Sequence, residues 1–334
     1  MKTIVHTCSS ILVRPNGIVR YINTVMDLQH RMGHHVIFVT DAQPTQTINS
    51  DETIYINRQS KYIPNWRDDH VWLQVDRDVS HDVEMAFRRL DVEPDLVIAH
   101  DLHSFLGCED DFRNGIFIQH ESDVLTAGAR YSFLSDEYLQ EQIERVNTTG
   151  WRIGLTVPST NINPYRPVHT PVPFAVAPPY FGDKTKPLLY IGDATERKGA
   201  REFMEVARLL GVRPTVITHE VDSEIFAGAD VHKFTLDQKQ EMYDLMAQHC
   251  VAYIPSKNEC PGLAVLECLQ FMPVVVDGQY DWTHYVEPMG VIRAAGAEIP
   301  AVIDGLLTGF RPHNRQLLEI WARSTQQLWT NLST

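Results

Sequence analysis

The chain lacks any run approaching the roughly 18 to 20 apolar residues needed to cross a bilayer. Its opening residues, Met1-Lys2-Thr3-Ile4-Val5-His6, turn polar too early for a secretory signal. A cytoplasmic protein is expected, and with no Lys/Arg-rich amphipathic docking helix near the N-terminus, no membrane partner. Cysteine is scarce and scattered: Cys8, Cys108, Cys250, Cys260 and Cys268 contain no Cys-x-x-Cys pair, so neither a disulfide framework nor a zinc site is indicated. Basic side chains are outnumbered 29 to 43, and the net charge of -14 opposes broad attraction to nucleic acid while leaving room for a local basic groove. There is no Gly-x-Ser-x-Gly elbow, no Gly-x-x-x-x-Gly-Lys phosphate loop, no internal repeat and no low-complexity tract.

What is present is enough apolar material, 43% of 334 residues, for two ordinary cores. Residues 2–7 read as a short buried strand, followed by a Pro15-Asn16-Gly17 turn and a helix carrying Ile18, Ile22, Val25, Met26 and Met32 at helical spacing. Gly33 stops that helix before a strand over 35–40, which completes one βαβ unit. Further strands are predicted at 95–99, 115–118 and 153–157, with helices near 83–90 and 137–146. The stretch bounded by Pro158 and Pro187, with Pro164, Pro167, Pro171, Pro173, Pro178 and Pro179 inside it, argues against continuous secondary structure and places a domain junction near its end. The alternation then restarts, with strands at 188–192, 215–218, 250–254 and 273–276 and helices at 200–210, 237–247 and 263–271. A last helix over about 314–329 presents Leu317, Leu318, Trp321 and Leu328 and is expected to pack back on the first domain. The expectation is an α/β chain of two doubly wound parallel sheets, with domains at 1–181 and 182–311 and a crossing helix at 312–334. Ligand would sit in a cleft lined by the carboxyl ends of the strands.

The most informative segment runs from Ser256 through Lys257-Asn258-Glu259-Cys260-Pro261-Gly262-Leu263-Ala264-Val265-Leu266 to Glu267, from a strand end into a helix. Free backbone N–H groups at such a helix start can hold a diphosphate, and each carboxylate can accept hydrogen bonds from hydroxyls. On residues alone, Glu259 and Glu267 read equally as a cap and a surface charge. The segment resembles the Glu-x-x-x-x-x-x-x-Glu signature of retaining glycosyltransferases with the two-Rossmann-domain GT-B fold, and the trailing Pro273-Val274-Val275 fits it. The resemblance implies that Glu259 contacts hydroxyls of the donor sugar and Glu267 the nucleotide ribose, with Cys260, Gly262 and Leu263 on the donor. Cys260-Pro261-Gly262 departs from the aromatic and glycine that usually follow the first glutamate.

Three further segments match the same family. Tyr190-Ile191-Gly192-Asp193-Ala194-Thr195-Glu196-Arg197-Lys198-Gly199 is similar to its diphosphate-binding loop, in which Lys198 would offset charge on the leaving group. Many relatives carry arginine directly after the strand glycine, where this chain has Asp193; Arg197 is the candidate to replace it. As bare sequence, Arg197-Lys198 is a solvated pair at a helix start. Asn16-Gly17 opens the first long helix where a backbone can approach a ligand, although such turns also serve purely conformational ends. His120, within Phe117-Ile118-Gln119-His120-Glu121-Ser122, stands where the family places a histidine beside the donor sugar. The expected mechanism is a retaining transfer without a protein nucleophile, a metal or a cofactor, from a UDP-sugar donor. Asp76-Arg77-Asp78 and His100-Asp101-Leu102-His103 are weak metal candidates, and His100 is expected to line the cleft.

Residues 119–125 and 191–199 also resemble segments of the T-even phage DNA glucosyltransferases, as does the compact length. That narrower resemblance implies transfer of glucose, or a pentose such as arabinose, to 5-hydroxymethylcytosine in DNA, in a host cytoplasm if the protein is phage-encoded. Arg14, Arg20, Arg130 and Arg152 are the candidates for a groove touching phosphates. The alternatives are a transferase acting on a glycan, lipid-linked or small-molecule acceptor, which would share every donor motif, and a sugar-nucleotide epimerase of the same fold.

Overall fold

The computed structural model describes residues 1–8, 17–40, 47–55, 81–120, 144–156, 167–169, 173, 176, 182–219, 221–235, 238–257, 259, 262–280, 282–309 and 315–334. The chain divides into two compact units: Met1–Phe174 together with Ser324–Thr334, and Ala175–Arg323.

The first unit is built on seven parallel strands: β1 (Thr3–Cys8), β2 (His35–Thr40), β3 (Glu52–Tyr55), β4 (Leu96–Ala99), β5 (Gly115–Gln119), β6 (Arg152–Leu155) and β7 (Pro167–His169). Their order is β3-β2-β1-β4-β5-β6-β7, so the winding reverses between β1 and β4. Helix α1 (Gly17–Arg31) links β1 to β2, and the short α2 (Leu102–Leu106) follows β4. The central strands are apolar on both faces because both are covered. Val5, Ile37, Val97, Ala99 and Phe117 form one buried layer with Phe87, Phe105 and Trp151. On the opposite face Cys8, Val36 and Phe38 pack under Val19, Ile22 and Met26 of α1.

Gly115 opens β5 directly against the Trp151 indole, and a Cβ placed there would lie 2.0 Å from its ring. The indole cannot retreat easily, because it is buried and its Nε1–H donates to the Phe112 carbonyl at 2.6 Å. Gly115→Ala is therefore expected to destabilise the first unit by about 2–3 kcal/mol through overpacking. Urea denaturation followed by tryptophan fluorescence measures it, and an unchanged midpoint would contradict the packing described.

The second unit carries six parallel strands: β8 (Lys186–Ile191), β9 (Thr215–Ile217), β10 (Asp230–His232), β11 (His249–Ile254), β12 (Val274–Asp277) and β13 (Ile292–Ala294), ordered β10-β9-β8-β11-β12-β13. Its helices are α3 (Ala200–Leu209), α4 (Lys239–Ala247), α5 (Leu263–Cys268), α6 (Trp282–Val286) and α7 (Glu298–Thr308). Leu188, Tyr190, Phe203, Val216, Val251, Tyr253, Val275 and Ile303 belong to its core. The last helix, α8 (Arg315–Ser333), starts in the second unit and ends in the first.

Four strands were not predicted: β3, β7, β10 and β13. Each is an edge strand of its sheet, three or four residues long. An edge strand is covered less completely than a central one, so its sequence carries no long apolar run. One of them lies within the proline-rich stretch: β7 begins at Pro167 and pairs with Ile153. Proline is tolerated there because the first residue of an edge strand need not donate to a ladder. The buried stripe of α8 is likewise not the predicted one. Leu318, Ala322, Thr325, Trp329 and Leu332 are buried, at alternating spacings of four and three, whereas Leu317, Trp321 and Leu328 are only partly covered. The end of α8 does pack on the first unit: the Trp329 ring stands edge-on to Tyr21 of α1 with centroids 6.0 Å apart.

Candidate functional site

In the second unit, β8 and β11 are neighbours, with Leu188 opposite Val251, and the strand order reverses between them. The segments leaving these two strands therefore emerge side by side at the carboxyl edge, the switch point at which open parallel sheets bind ligands. One is Gly192-Asp193-Ala194-Thr195-Glu196-Arg197-Lys198-Gly199, leading into α3. The other begins Pro255-Ser256-Lys257 and leads through Glu259 and Gly262 into α5.

Backbone contacts pin the first loop to the second. The Lys257 N–H donates to the Arg197 carbonyl at 2.8 Å, and the Ser256 hydroxyl donates to the same oxygen at 3.3 Å. Trp282 of α6 holds the Ser256 carbonyl through its Nε1–H at 2.8 Å. The Tyr190 hydroxyl donates to the Asp193 carbonyl at 2.9 Å from beneath. Gly199 then turns the chain into α3 with φ of +67°, and a Cβ there would lie 2.5 Å from the Pro255 carbonyl oxygen. Both the left-handed backbone and the close approach call for glycine.

Within this frame the Lys198 ammonium is ion-paired with the Glu259 carboxylate. The side chains are only 18% and 10% exposed, so the pair is largely desolvated, unlike the Lys257–Glu196 pair at 2.8 Å, whose glutamate is 87% exposed. The exposed pair is screened by water and contributes little. A largely buried pair is different, because removing either partner strands the other charge in a poor solvent. An ammonium has three donors, so Lys198 can serve Glu259 and a phosphate oxygen together. Glu259 is thus no helix cap: the residue preceding α5 is Gly262, which has no side chain to cap that end, and the Glu259 carboxylate is engaged by Lys198. Glu267 is no surface charge either. It is buried on α5, with the Tyr243 hydroxyl 3.4 Å from its carboxylate. Arg197 lies exposed in the first loop, and Leu263 opens α5 half-buried.

The first unit places His120 just after β5, buried, at the end of a row of histidines that runs back through the adjoining β4 to β1. His6 lies within β1 and His100 follows β4. His6 Nδ1 is 2.9 Å from His100 Nε2, and His100 Nδ1 is 3.0 Å from His120 Nε2. At the far end His6 Nε2 meets the amide oxygen of Gln29 at 2.7 Å, and the Gln29 amide nitrogen donates to the Ser333 hydroxyl at 3.2 Å. The expectation that His100 lines a cleft is therefore corrected: it is the buried middle member of a row. Burial pushes the His6 imidazole down to about 4 and that of His120 to about 3; it pushes His100 well down, aided by its two histidine neighbours. His6 and Gln29 were missed by the sequence reading. The available signal was a histidine and a threonine interrupting the apolar run Ile4-Val5-His6-Thr7 of a strand covered on both faces.

Gly17 begins α1, as expected. Asn16, Arg14, Arg130, Cys260 and the Asp76-Arg77-Asp78 segment lie outside the described residues. Arg20 sits in the second turn of α1, which follows the carboxyl end of β1, whereas Arg152 opens β6 at the amino edge of the same parallel sheet. There its guanidinium is half-buried and donates to the Leu332 carbonyl at 3.4 Å. The fold does not bring these two arginines into one groove. Among the described residues, no group of three or more His, Cys, Asp or Glu side chains is placed to hold a metal ion.

No family model and no curated protein matches the chain. Solved structures do. WaaG, a glycosyltransferase involved in lipopolysaccharide biosynthesis, is 14% identical, with 98% of this chain and 95% of that one covered at a TM-score of 0.58. TarM is 10% identical over 100% and 99% of the two chains at 0.66. Sucrose-phosphate synthase from Thermosynechococcus elongatus is 14% identical over 100% and 94% at 0.67. Another structure of TarM, a mutant of the S. aureus protein, is a complex with Fondaparinux, alpha-GlcNAc-glycerol and UDP. With two all-parallel α/β sheets and this likeness over its whole length, the chain has the GT-B fold of these glycosyltransferases.

Proposed function

We propose that this protein is a glycosyltransferase that takes its sugar from a nucleoside diphosphate donor, most simply a UDP-sugar, bound by the second unit. The observation that carries the reading is the desolvated Lys198–Glu259 pair at the switch point of β8 and β11. A nucleotide-sugar site needs a cation for the diphosphate and an acceptor for sugar hydroxyls within reach of each other. These two loops supply both, beside the N-terminus of α3. The complex of TarM with UDP supports the choice of donor. Glu267 is assigned to the ribose, and Gly262, Leu263 and Cys260 to the donor surface. Arg197 takes the second cationic place that Asp193 leaves unfilled, and Asn16-Gly17 the approach to the phosphates. His120 of the first unit is assigned to the donor sugar on the sequence resemblance.

The reaction proposed is retaining and metal-independent. The bond from the anomeric carbon to the phosphate oxygen breaks while the bond to the acceptor oxygen forms on the same face, and the acceptor proton passes to the departing phosphate. Lys198 lowers the barrier by meeting the charge that gathers on that phosphate. The acceptor assigned is the hydroxymethyl group of 5-hydroxymethylcytosine in DNA, which rests on the resemblance of residues 119–125 and 191–199. Because Arg20 and Arg152 lie at opposite edges of the sheet, the phosphate-contact role is confined to Arg14, Arg20 and Arg130.

Incubation with hydroxymethylcytosine-containing DNA and a panel of nucleotide sugars, followed by mass analysis of the digested nucleosides, tests the whole reading. A hexose or pentose increment is expected. An increment found only on a glycan or small-molecule acceptor would overturn the DNA assignment and keep the transferase. Interconversion of free nucleotide sugars with no acceptor requirement would replace it with an epimerase.

A further inference from the structure

We infer that Gln29, His6 and His100 are positioning residues that fix which ring nitrogen of His120 carries its proton. The inference deepens the proposed function, resting on His120 as the side chain that meets the sugar. Its physical content is a counting argument. A neutral imidazole has one N–H and one lone pair, and each contact in the row holds a single hydrogen. The Gln29 amide oxygen on His6 makes His6 Nε2 the donor and leaves His6 Nδ1 as an acceptor. His100 must then donate from Nε2 and accept at Nδ1, and His120 must donate from Nε2. His120 Nδ1 is thereby set as an acceptor, the polarity that suits a sugar hydroxyl and not a phosphate oxygen.

The row has one polarity or the other, never a mixture. A single ring in the wrong tautomer would set two hydrogens or two lone pairs against each other at about 3 Å in a site closed to water. Such a fault leaves buried polar groups unsatisfied, and the error cannot be relieved by charging a ring, because burial holds all three histidines neutral. Nor can the rings turn aside. Tyr21 of α1 stands edge-on to both His100 and His120, at centroid distances of 6.0 and 4.6 Å, and Trp329 of α8 backs Tyr21. Fold stability alone does not call for this arrangement. His6 stands between Val5 and Thr7 in a strand that is otherwise mostly apolar, and apolar residues of similar volume would fill the three histidine positions at less cost in desolvation.

The test is 15N NMR of the full-length protein with labelled histidine at pH 7.5, signals assigned through His6→Asn, His100→Asn and His120→Asn. The expected result is the Nε2–H tautomer at all three positions. In Gln29→Leu, His120 is expected to show both tautomers, with kcat for sugar transfer about 10-fold lower and KM for the nucleotide sugar within twofold of wild type. A pure Nε2–H His120 in a folded Gln29→Leu protein would overturn the inference, as would an Nδ1–H His120 in the wild type. Should Gln29→Leu not fold, the wild-type tautomers decide alone. UDP binding, read separately by calorimetry, distinguishes failure of the donor reading, since the tautomers do not depend on it.

Discussion

Lys198→Ala is expected to lower sugar transfer by about 100- to 1,000-fold, the usual consequence of removing one preorganised group that meets charge developing in a transition state. The fold should survive. Lys198 sits in a loop held through main-chain atoms, by its N–H on the Thr195 carbonyl at 3.1 Å and by the Arg197 and Lys257 backbones, rather than by its side chain. The substitution does leave the Glu259 carboxylate, 10% exposed, without its ammonium, so a loss of stability accompanies the loss of rate. Glu259→Ala should be as damaging to transfer, because it removes both the proposed acceptor for sugar hydroxyls and the carboxylate paired with Lys198. Since the two act as a unit, the double variant is expected to lose far less than the product of the single losses. Single-turnover rates on the three proteins, with circular dichroism as the check on folding, measure this. Wild-type turnover in both single variants would sink the site assignment.

Between pH 7 and pH 5 the first unit is expected to lose stability of the order of 4 kcal/mol, a large part of the whole stability of many domains. The cause is the histidine row. In the unfolded chain each imidazole titrates near 6.5, whereas burial holds His6 near 4, His120 near 3 and His100 well down when folded. Across this window the unfolded chain binds more protons than the folded one, so stability is complete above about pH 6.5 and drains as pH falls toward the folded values. His6 and His120 each contribute about 2 kcal/mol over these two pH units, and His100 acts in the same direction. In the second unit, His249 is the buried histidine with a lowered value, near 4, so among the described residues that unit carries one such group against three. Urea denaturation at pH 7, 6 and 5 should show the midpoint of the first unit falling faster. Equal slopes for the two units would show that the row is not held neutral.

The central strands of both sheets were legible because a strand covered on both faces is mostly apolar, and a run such as Val36-Ile37-Phe38-Val39 has no other reading. The edge strands were not. Glu52–Tyr55 and Asp230–His232 are three or four residues with partial cover, and only pairing with β2 and β9 makes them strands. The stripe of α8 was misjudged for a related reason: Leu317, Leu318, Trp321 and Leu328 are all apolar, and their sequence does not say which side meets Tyr21.

The candidate site divides the same way. The residues between Gly192 and Gly199 and between Ser256 and Glu267 were picked out by local pattern, since a strand end, a glycine-punctuated loop and a helix start lie within one short window. That Lys198 and Glu259 form a desolvated pair was decided by the tertiary structure, because it follows from β8 lying beside β11, with the strand order reversing between them. The histidine row is a tertiary fact altogether. Its members lie 94 and 20 residues apart in the chain, and the order β1-β4-β5 sets their rings at hydrogen-bond distance. By itself the sequence determined what is local: which segments are strands covered on both faces, where helices start, and which loops hold charge and glycine. Which charge meets which, and which histidine leans on which, waited for strand order, because short-range pattern carries no record of what a sheet sets side by side.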